Sequence, residues 1–269
     1  MLLCGRMEDI QGSVVAVHRR PHSYFRLRLH VTATFADAEP GQFVMVQVGH
    51  CLEPFLRRAF SIHDVSRGEG QDVHIDLLGK EIGRGTSLLG QSRAGDVLRI
   101  LGPLGHGFQM KEHSRVALVA GGVGSAPLLL LARRLLDRGR TFDFFYGGRS
   151  QSDLSRRELF ARLTEESGGE LIGTTEDGSF GETGLITVPL ERRLVRGTYD
   201  FVYGCGPMPL LAALANLCSR CGIDGEAALE TPMGCGYGAC LGCAVPRLDG
   251  SFALCCKQGP VFRFDEVRW

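Results

Sequence analysis

Apolar and polar side chains alternate through the first hundred residues. "SVVAVHRR" (13–20), "YFRLRLHVTA" (24–33), "QFVMVQV" (42–48), "AFSIHDV" (59–65), "DVHIDLLG" (72–79) and "DVLRILGPLG" (96–105) each set β-branched, aromatic or leucine side chains against polar ones. A period of two marks a strand with one buried face. The turn-forming stretches "EPGQFV" and "RAGDVL" lead into two of these segments, as Pro, Gly, Asn and Asp do at strand entrances. Apart from a short helix candidate near "GTSLLGQS", the region offers only strands. The pattern predicts an antiparallel β-barrel.

After "GPLGHGF" the period changes. "RVALVAGG" is a continuous apolar run ending in glycines, and "SAPLLLLARRLLDRG" follows as a helix with Gly139 as its stop. An unbroken apolar strand is buried on both faces, as in a parallel sheet, and a glycine just past the last apolar turn closes a helix. Strand "FDFFYGG", helix "SRRELFARLTEE", strand "ELIGTTED", the turn and apolar segment "GETGLITVPLERRL", strand "YDFVYGCG" and helix "PMPLLAALANLCSRCG" continue the alternation. Strand and helix in turn predict a parallel α/β domain. From about residue 225 the chain is rich in Gly and Cys with little helix signal. Three units are expected: a barrel over 1–108, an α/β domain over 109–224 and a small C-terminal segment over 225–269.

Composition narrows the chemistry. With 269 residues and 44% apolar content, the chain can bury a core in more than one unit. Thirty basic residues cancel thirty acidic ones, so no net field selects nucleic acid or an acidic membrane surface, and neither is expected as a partner. Apolar runs such as "APLLLLA" fall far short of a membrane span of about 20 residues. The start, "MLLCGRMEDI", lacks a basic region followed by a long apolar stretch. A cytoplasmic location is expected. Ten cysteines in a chain of this size, without an export signal, point to thiols or metal ligands rather than a disulfide framework. Cys4 and Cys51 are isolated, whereas the other eight crowd residues 205–256.

Cys235, Cys240 and Cys243, in "GCGYGACLGC", have four and then two residues between them. This is the C-x4-C-x2-C loop that wraps a plant-type [2Fe–2S] cluster, completed by a distant fourth cysteine. Gly234, Gly236, Gly238 and Gly242 allow positive φ and leave amides free to point at sulfur. Cys255 and Cys256, beyond a hairpin-like "PRLDGSFALCC", are both open as the fourth ligand on spacing alone. A structural zinc site is the alternative, with Cys218 and Cys221 as a second knuckle to Cys240 and Cys243. Residues 218 and 221 end an apolar helix, where small buried cysteines are common, so the iron–sulfur reading is favoured.

Three further motifs bear on nucleotides. In "RRAFSI" (57–62) Arg58 could place a guanidinium on a phosphate, Phe60 a ring against a flavin and Ser61 a hydroxyl near its N5. Alone, such an arginine is more often a solvated strand edge. It gains weight from "GKEIGRGTSLL" (79–89), where glycines and Thr86 precede a helix start able to bind pyrophosphate. "VAGGVGSAPLL" (119–129) follows a strand and opens a helix, as a dinucleotide-binding turn does. Pro127 replaces the last glycine of that pattern, and no acidic residue ends the next strand. "YGCGPMPLL" (203–211) repeats the arrangement. Gly121, Gly122 and Gly124 are therefore expected beside Cys205, Gly206 and Pro207, around a crevice at the carboxyl edge of the sheet.

In this order, "RAFS", "GRGTSLL", "GGVGSAP" and "CGPMP" resemble the ferredoxin–NADP reductase superfamily. The resemblance implies an FAD-binding barrel joined to a nicotinamide domain, with Arg58, Ala59, Phe60, Ser61, Leu78, Gly79, Lys80, Gly85 and Thr86 forming the flavin site. "ETPMGCGYGACLGCAVP" and "CCKQGPVF" narrow the likeness. Over essentially the whole chain it is similar to the electron-transfer subunits of NAD-dependent (class 1B) dihydroorotate dehydrogenase, the PyrK type. That resemblance implies Cys256 as the fourth ligand, with Cys255 a neighbour. Gln258 stands where an acidic residue is usual and Tyr237 where a smaller aliphatic is common.

The family implies a route from reduced FMN of a catalytic partner, through [2Fe–2S] and FAD, to NAD⁺, in pyrimidine biosynthesis. It also implies two copies of this chain bound to a dimer of catalytic subunits, with the cluster segment at the interface. None of the eight histidines and thirty acids sits in a motif that reads as a general base. His63, His74 and His106 read as strand or loop histidines, and no catalytic acid or base is assigned. The lack of an evident basic pocket for a 2′-phosphate favours NAD over NADP, with Arg149 the residue that keeps the choice open. Two rivals remain at this point: a similar subunit serving a sulfite reductase or hydrogenase, and a zinc-stabilised binding module.

Overall fold

A computed structural model describes residues 7–20, 23–49, 53–70, 72–112 and 115–269, so Cys4 and Cys51 lie outside the described residues. The six alternating segments are strands β1 (Glu8–Arg20), β2 (Tyr24–Val31), β3 (Phe43–Val46), β4 (Arg58–Arg67), β5 (Val73–Lys80) and β6 (Val97–Leu104). They close a barrel in the order β1-β2-β5-β4-β3-β6, all neighbours antiparallel. Phe25, Leu27 and Leu29 of β2, Phe60 and Ile62 of β4 and Ile75 and Leu77 of β5 fill the interior. Alternate positions face out. The short helix α1 (Arg84–Gly90) covers one end, and Thr86 caps it, its Oγ1 accepting from the Ile82 and Gly83 amides at 2.9 and 3.2 Å.

The second sheet has seven strands in the order β10-β9-β8-β7-β11-β12-β15. They are β7 (Arg115–Gly121), β8 (Thr141–Gly148), β9 (Leu171–Thr175), β10 (Glu182–Thr183), β11 (Phe201–Cys205), β12 (Asp224–Ala228) and β15 (Val261–Arg263). All pairs are parallel except β12 with β15. Val116 and Leu118 of β7 pack towards α2 (Leu128–Asp137) and α3 (Arg157–Glu166). Ala117 and Val119 pack towards α4 (Thr187–Leu194) and α5 (Met208–Cys221). Helices on both faces explain the unbroken apolar run. Gly139 and Gly222 follow α2 and α5 with φ of +64° and +65°, the left-handed turn that ends a helix. The stretch "GETGLITVPLERRL" divides into β10 and α4.

Between β12 and β15 lie the cysteine loop, the hairpin of β13 (Ala244–Pro246) and β14 (Phe252–Leu254), and the single turn α6 (Cys255–Gln258). A boundary at residue 225 therefore cuts through β12, and the C-terminal segment returns a strand to the sheet. The cysteines are tied to the α/β core at both ends. No described helix is long and apolar enough to cross a membrane.

Candidate cofactor-binding site

The cysteines gather as two pairs. Cys243 Sγ lies 3.2 Å from Cys256 Sγ and accepts the Cys256 amide at 3.4 Å. Cys235 Sγ accepts the Ala239 and Cys240 amides at 3.3 and 3.5 Å, and the Cys240 thiol as well. Desolvation is the largest single influence on Cys235 and pushes it up, but these donors and the Tyr237 amide together outweigh it and draw its thiol down to about 6. Thiolate character is what a metal ligand needs. Burial and the neighbouring Cys243 push Cys256 up to about 12, a thiol that a cation would have to deprotonate.

Among the described residues no three metal-ligating side chains stand around one point. Two pairs suit a two-iron cluster, each iron taking two thiolates. Cys255 is fully buried, with its thiol 3.7 Å from the Leu229 carbonyl, and burial lifts it to about 11. Cys218 is buried in the last turn of α5, and the electrostatic neighbours of its thiol are Cys221 and Asp224 rather than the loop cysteines. The second zinc knuckle is not formed.

The two phosphate-binding motifs meet. A β-carbon on Gly85 would lie 2.5 Å from Arg58 Nε, so the guanidinium lies directly against the first turn of α1. Strand alternation separates Phe60 from its neighbours. Its ring stands edge-on to Phe25 at 6.1 Å and is 8% exposed, whereas Ala59 is open and Ser61 half-buried on the outer face. Phe60 thus braces the strand from within the barrel. Gly79 has the same inner role, since a β-carbon would strike Phe25 and Phe60 at 2.5 and 2.8 Å. Leu78 faces out and packs with Tyr24 and Ala126 of the α/β domain.

The glycine loops close on one another at the carboxyl edge of the sheet. A β-carbon on Gly124 would lie 2.3 Å from the Cys205 carbonyl oxygen, and one on Gly121 would lie 2.9 Å from Pro207 Cδ. Gly206, with φ of +158°, completes the contact. Gly121, Gly124, Gly206 and Pro207 line a cleft of about 720 Å³ between barrel and α/β domain, together with Gly122, Lys80, Arg149, Asp153, Glu176 and Glu230, while Cys205 lies buried behind them. Such a cleft at the strand ends is where an open α/β sheet receives a dinucleotide.

Tyr24, Asp153 and Glu176 of the cleft belong to none of these motifs. Lys80 ion-pairs with Asp153 across the domains at 2.8 Å, and the Tyr24 hydroxyl donates to the same oxygen at 3.4 Å. Glu176 follows β9, one strand beyond the position where an acid was sought. Glu230 lines the cleft near Cys205 with its side chain open to the cleft solvent, and no hydrogen bond or ion pair holds it among the described residues. The protein walls around the cleft partly desolvate its carboxyl and raise it above the ordinary range. His63 is buried with Nδ1 2.7 Å from the Ala126 carbonyl oxygen, and burial lowers it to about 3. A neutral imidazole tying the domains together fits its reading as a strand histidine.

Two family models match the chain: "Oxidoreductase NAD-binding domain" over residues 118–216 and "Iron-sulfur cluster binding domain of dihydroorotate dehydrogenase B" over residues 230–268. A dihydroorotate dehydrogenase B (NAD(+)) electron transfer subunit from Caldanaerobacter subterraneus subsp. tengcongensis is 39% identical over 85% of this chain and 86% of its own. An electron transfer subunit homolog from Aquifex aeolicus is 36% identical over 90% of this chain and 92% of its own. Among solved structures, an NADH-dependent reduced ferredoxin–NADP oxidoreductase superposes with a TM-score of 0.83 at 26% identity, covering 96% of this chain and 90% of the other. The cytochrome b5 reductase domain of Ulva prolifera nitrate reductase shares the fold, with a TM-score of 0.66 at 17% identity over 80% of this chain and 94% of the other.

Proposed function

The chain belongs to the family of dihydroorotate dehydrogenase B electron transfer subunits, and from that premise we propose how its residues divide the work of passing electrons to NAD⁺ through an iron–sulfur cluster and FAD. When bound, the cluster carries one electron at a time, and the flavin takes electrons singly and releases them as hydride to the nicotinamide. The observation that carries the reading is the placement of the cysteine pairs and the glycine-lined cleft around one barrel, on which Ala59 and Ser61 face outward between them.

Cys235 and Cys240 would hold one iron, and Cys243 and Cys256 the other. Arg58, backed onto Gly85, would clamp the flavin pyrophosphate, a charge-assisted contact suited to a planar guanidinium. The Ser61 hydroxyl would meet the flavin ring, with Ala59 and the β4 backbone against it. Leu78 and Lys80 would close the far side. Gly121, Gly122 and Gly124 would let the dinucleotide approach the backbone, and Cys205, Gly206 and Pro207 would border the nicotinamide. Glu176 would accept hydrogen bonds from the adenosine ribose and repel a 2′-phosphate, which favours NAD. Glu230, without a partner of its own, would face the nicotinamide end.

The partner is an FMN-containing dihydroorotate dehydrogenase catalytic subunit, in an assembly of two plus two. Tyr237, Leu241 and Phe252 lie exposed beside the cysteines at 52, 63 and 69%, an apolar face suited to that contact. The reading is tested by purifying the chain with and without the catalytic subunit and measuring flavin, iron and acid-labile sulfide. A coloured chain that reduces artificial acceptors with NADH, yet oxidises dihydroorotate only with its partner, is expected. A colourless, zinc-loaded protein, or dihydroorotate oxidation by this chain alone, would overturn it.

A further inference from the structure

The cysteine loop is seated on the barrel through Gly236. This residue follows Cys235, has φ of +85°, and a β-carbon on it would lie 2.4 Å from Met45 Cγ, 3.1 Å from Met45 Sδ and 3.2 Å from Leu104 Cδ1. Backbone and thioether are therefore in direct contact, and only glycine permits both that approach and that φ. Met45 is fully buried, and it shares a cluster with Phe43, Leu101, Leu104, Cys243 and Cys256 rather than with the barrel interior. Its neighbours in sequence, Val44 and Val46, point inward instead. Met45 is an outward residue.

On the outer face Met45 stands directly opposite Ala59, and Phe43 opposite Ser61. Opposed residues of an antiparallel pair hold their β-carbons about 5 Å apart on one face. Met45 thus touches the cluster loop on one side and stands beside the outward residues of β4 on the other. Ala59 is exposed while Met45 is wholly covered. The covered methionine lies under the loop, and the open alanine lies beside it.

We propose that Met45 is the positioning residue that seats the cluster loop against the flavin-binding strand and sets the gap that single electrons cross. The inference rests on the function proposed above. Electron transfer weakens steeply as separation grows and as packed atoms are replaced by empty space, so a side chain that fills this contact controls the rate. Methionine suits the task because its unbranched, polarizable side chain fills irregular gaps. The crossing moves one electron and neither makes nor breaks a bond. Starting from NADH, hydride would bring two electrons and one proton to a bound flavin; one electron would pass to the cluster, the second would follow once a one-electron artificial acceptor had reoxidised the cluster, and the proton would leave to water.

The test uses the full chain loaded with FAD and cluster, and the variants Met45→Ala, Met45→Leu and Gly236→Ala. Rapid mixing with NADH separates flavin bleaching from cluster reduction. Flavin bleaching should stay at the parent rate, while cluster reduction slows roughly tenfold or more in Met45→Ala and Gly236→Ala. Met45→Leu, of similar volume, should restore it. Iron content should be unchanged in Met45→Ala and Met45→Leu, and amide hydrogen exchange over residues 234–243 should quicken in Met45→Ala, as a loop that has lost its seat requires. Parent-rate cluster reduction in Met45→Ala would overturn the proposal, and so would equal slowing of both steps, which would make Met45 a general prop of the barrel. If Met45→Ala does not fold, Gly236→Ala tests the same contact from the loop side. A parent chain that holds no cluster would sink the functional reading itself, a result separate from these.

Discussion

Lys80 Nζ lies 2.8 Å from Asp153 Oδ1, joining the last residue of a barrel strand to the α/β domain at the wall of the nicotinamide cleft. The Asp153 side chain is 11% exposed and that of Lys80 25%, and the Lys80 ammonium also sits 4.9 Å from the Tyr24 ring centroid. A residue read as a flavin contact is therefore also a tie between domains.

Breaking that tie should cost about 1–3 kcal/mol, because the remaining partner is left largely buried without its counter-charge. Burial raises the Asp153 carboxyl, but the hydrogen bond and charge of Lys80, with Arg149, outweigh it and hold the group below its ordinary value. A depressed carboxyl contributes stability above the unfolded value of about 3.9, and that contribution is lost as pH falls through the folded value. Asp153→Asn should therefore be less stable than the parent at neutral pH and lose less stability on acidification from about pH 4 downward. Denaturant unfolding at a series of pH values checks both, and parallel curves for the two proteins would remove Asp153 from the acid limb.

The two adjacent cysteines of α6 should separate cleanly. Cys256 touches Cys243, whereas the Cys255 thiol faces the Leu229 carbonyl in a dry environment. Cys256→Ser should lose iron and the visible absorption of the cluster. Cys255→Ser should keep both and lose stability of about 1–3 kcal/mol, the cost of a poorly paired hydroxyl in the core. Iron analysis and thermal melting on the same samples decide it, and the reverse pattern would exchange the two assignments.

Gly124 has no room for a methyl group. Its β-carbon would fall 2.3 Å from the Cys205 carbonyl oxygen and 2.7 Å from Gly206 Cα, both backbone atoms. Gly124→Ala must push the two glycine loops apart, at about 1–3 kcal/mol for an overpacked site. Binding of NADH, read by titration, should weaken while flavin and iron content stay at parent levels. A variant with parent affinity would show that the contact between loops does not shape the cleft.

The barrel was legible because most of its strands have one wet face, as where Phe25, Leu27 and Leu29 alternate with Arg26 and Arg28. Helix ends at Gly139 and Gly222 were legible through one residue type each. Strand β10, two residues long, and the four-residue turn α6 were not, since neither is long enough to show a period. Cys235, Cys240 and Cys243 stood out by their spacing, whereas spacing left Cys255 and Cys256 both open as a fourth candidate. Phe60 was open to correction from sequence, because adjacent residues of a strand point to opposite faces and it cannot share one with Ser61. The Lys80–Asp153 pair was not, because 73 residues separate its members and only the domain packing joins them. Glu230 opens the cysteine motif, but its place in the cleft was not legible, because its position just past β12 is set by a strand pairing that returns from the far side of the cysteine segment.

On the proposed reading, cofactor choice turns on Glu176. Its amide donates to the Gly148 carbonyl at 3.1 Å, and that of Asp177 to the Arg149 carbonyl at 3.1 Å, so backbone bonds fix the loop beside the cleft whatever the side chain. Its carboxylate is therefore free to be exchanged without loss of fold. Arg149 reaches Asp153 at 3.9 Å with its side chain 78% exposed, so it is a loosely held cation at the same end of the cleft. With Glu176 present, the extra negative charge of a 2′-phosphate meets a carboxylate. With Glu176→Arg it would meet two guanidinium groups, the environment that planar bidentate donors provide for phosphate. The variant should raise kcat/KM for NADPH relative to NADH by roughly tenfold or more, equal to about 1.4 kcal/mol of altered discrimination. Most of the change should appear in KM, because the adenosine end is remote from the reacting carbon and its contacts are uniform in ground and transition states. Steady-state reduction of an artificial acceptor with each nucleotide measures the ratio, and an unchanged ratio would assign the preference to another part of the cleft.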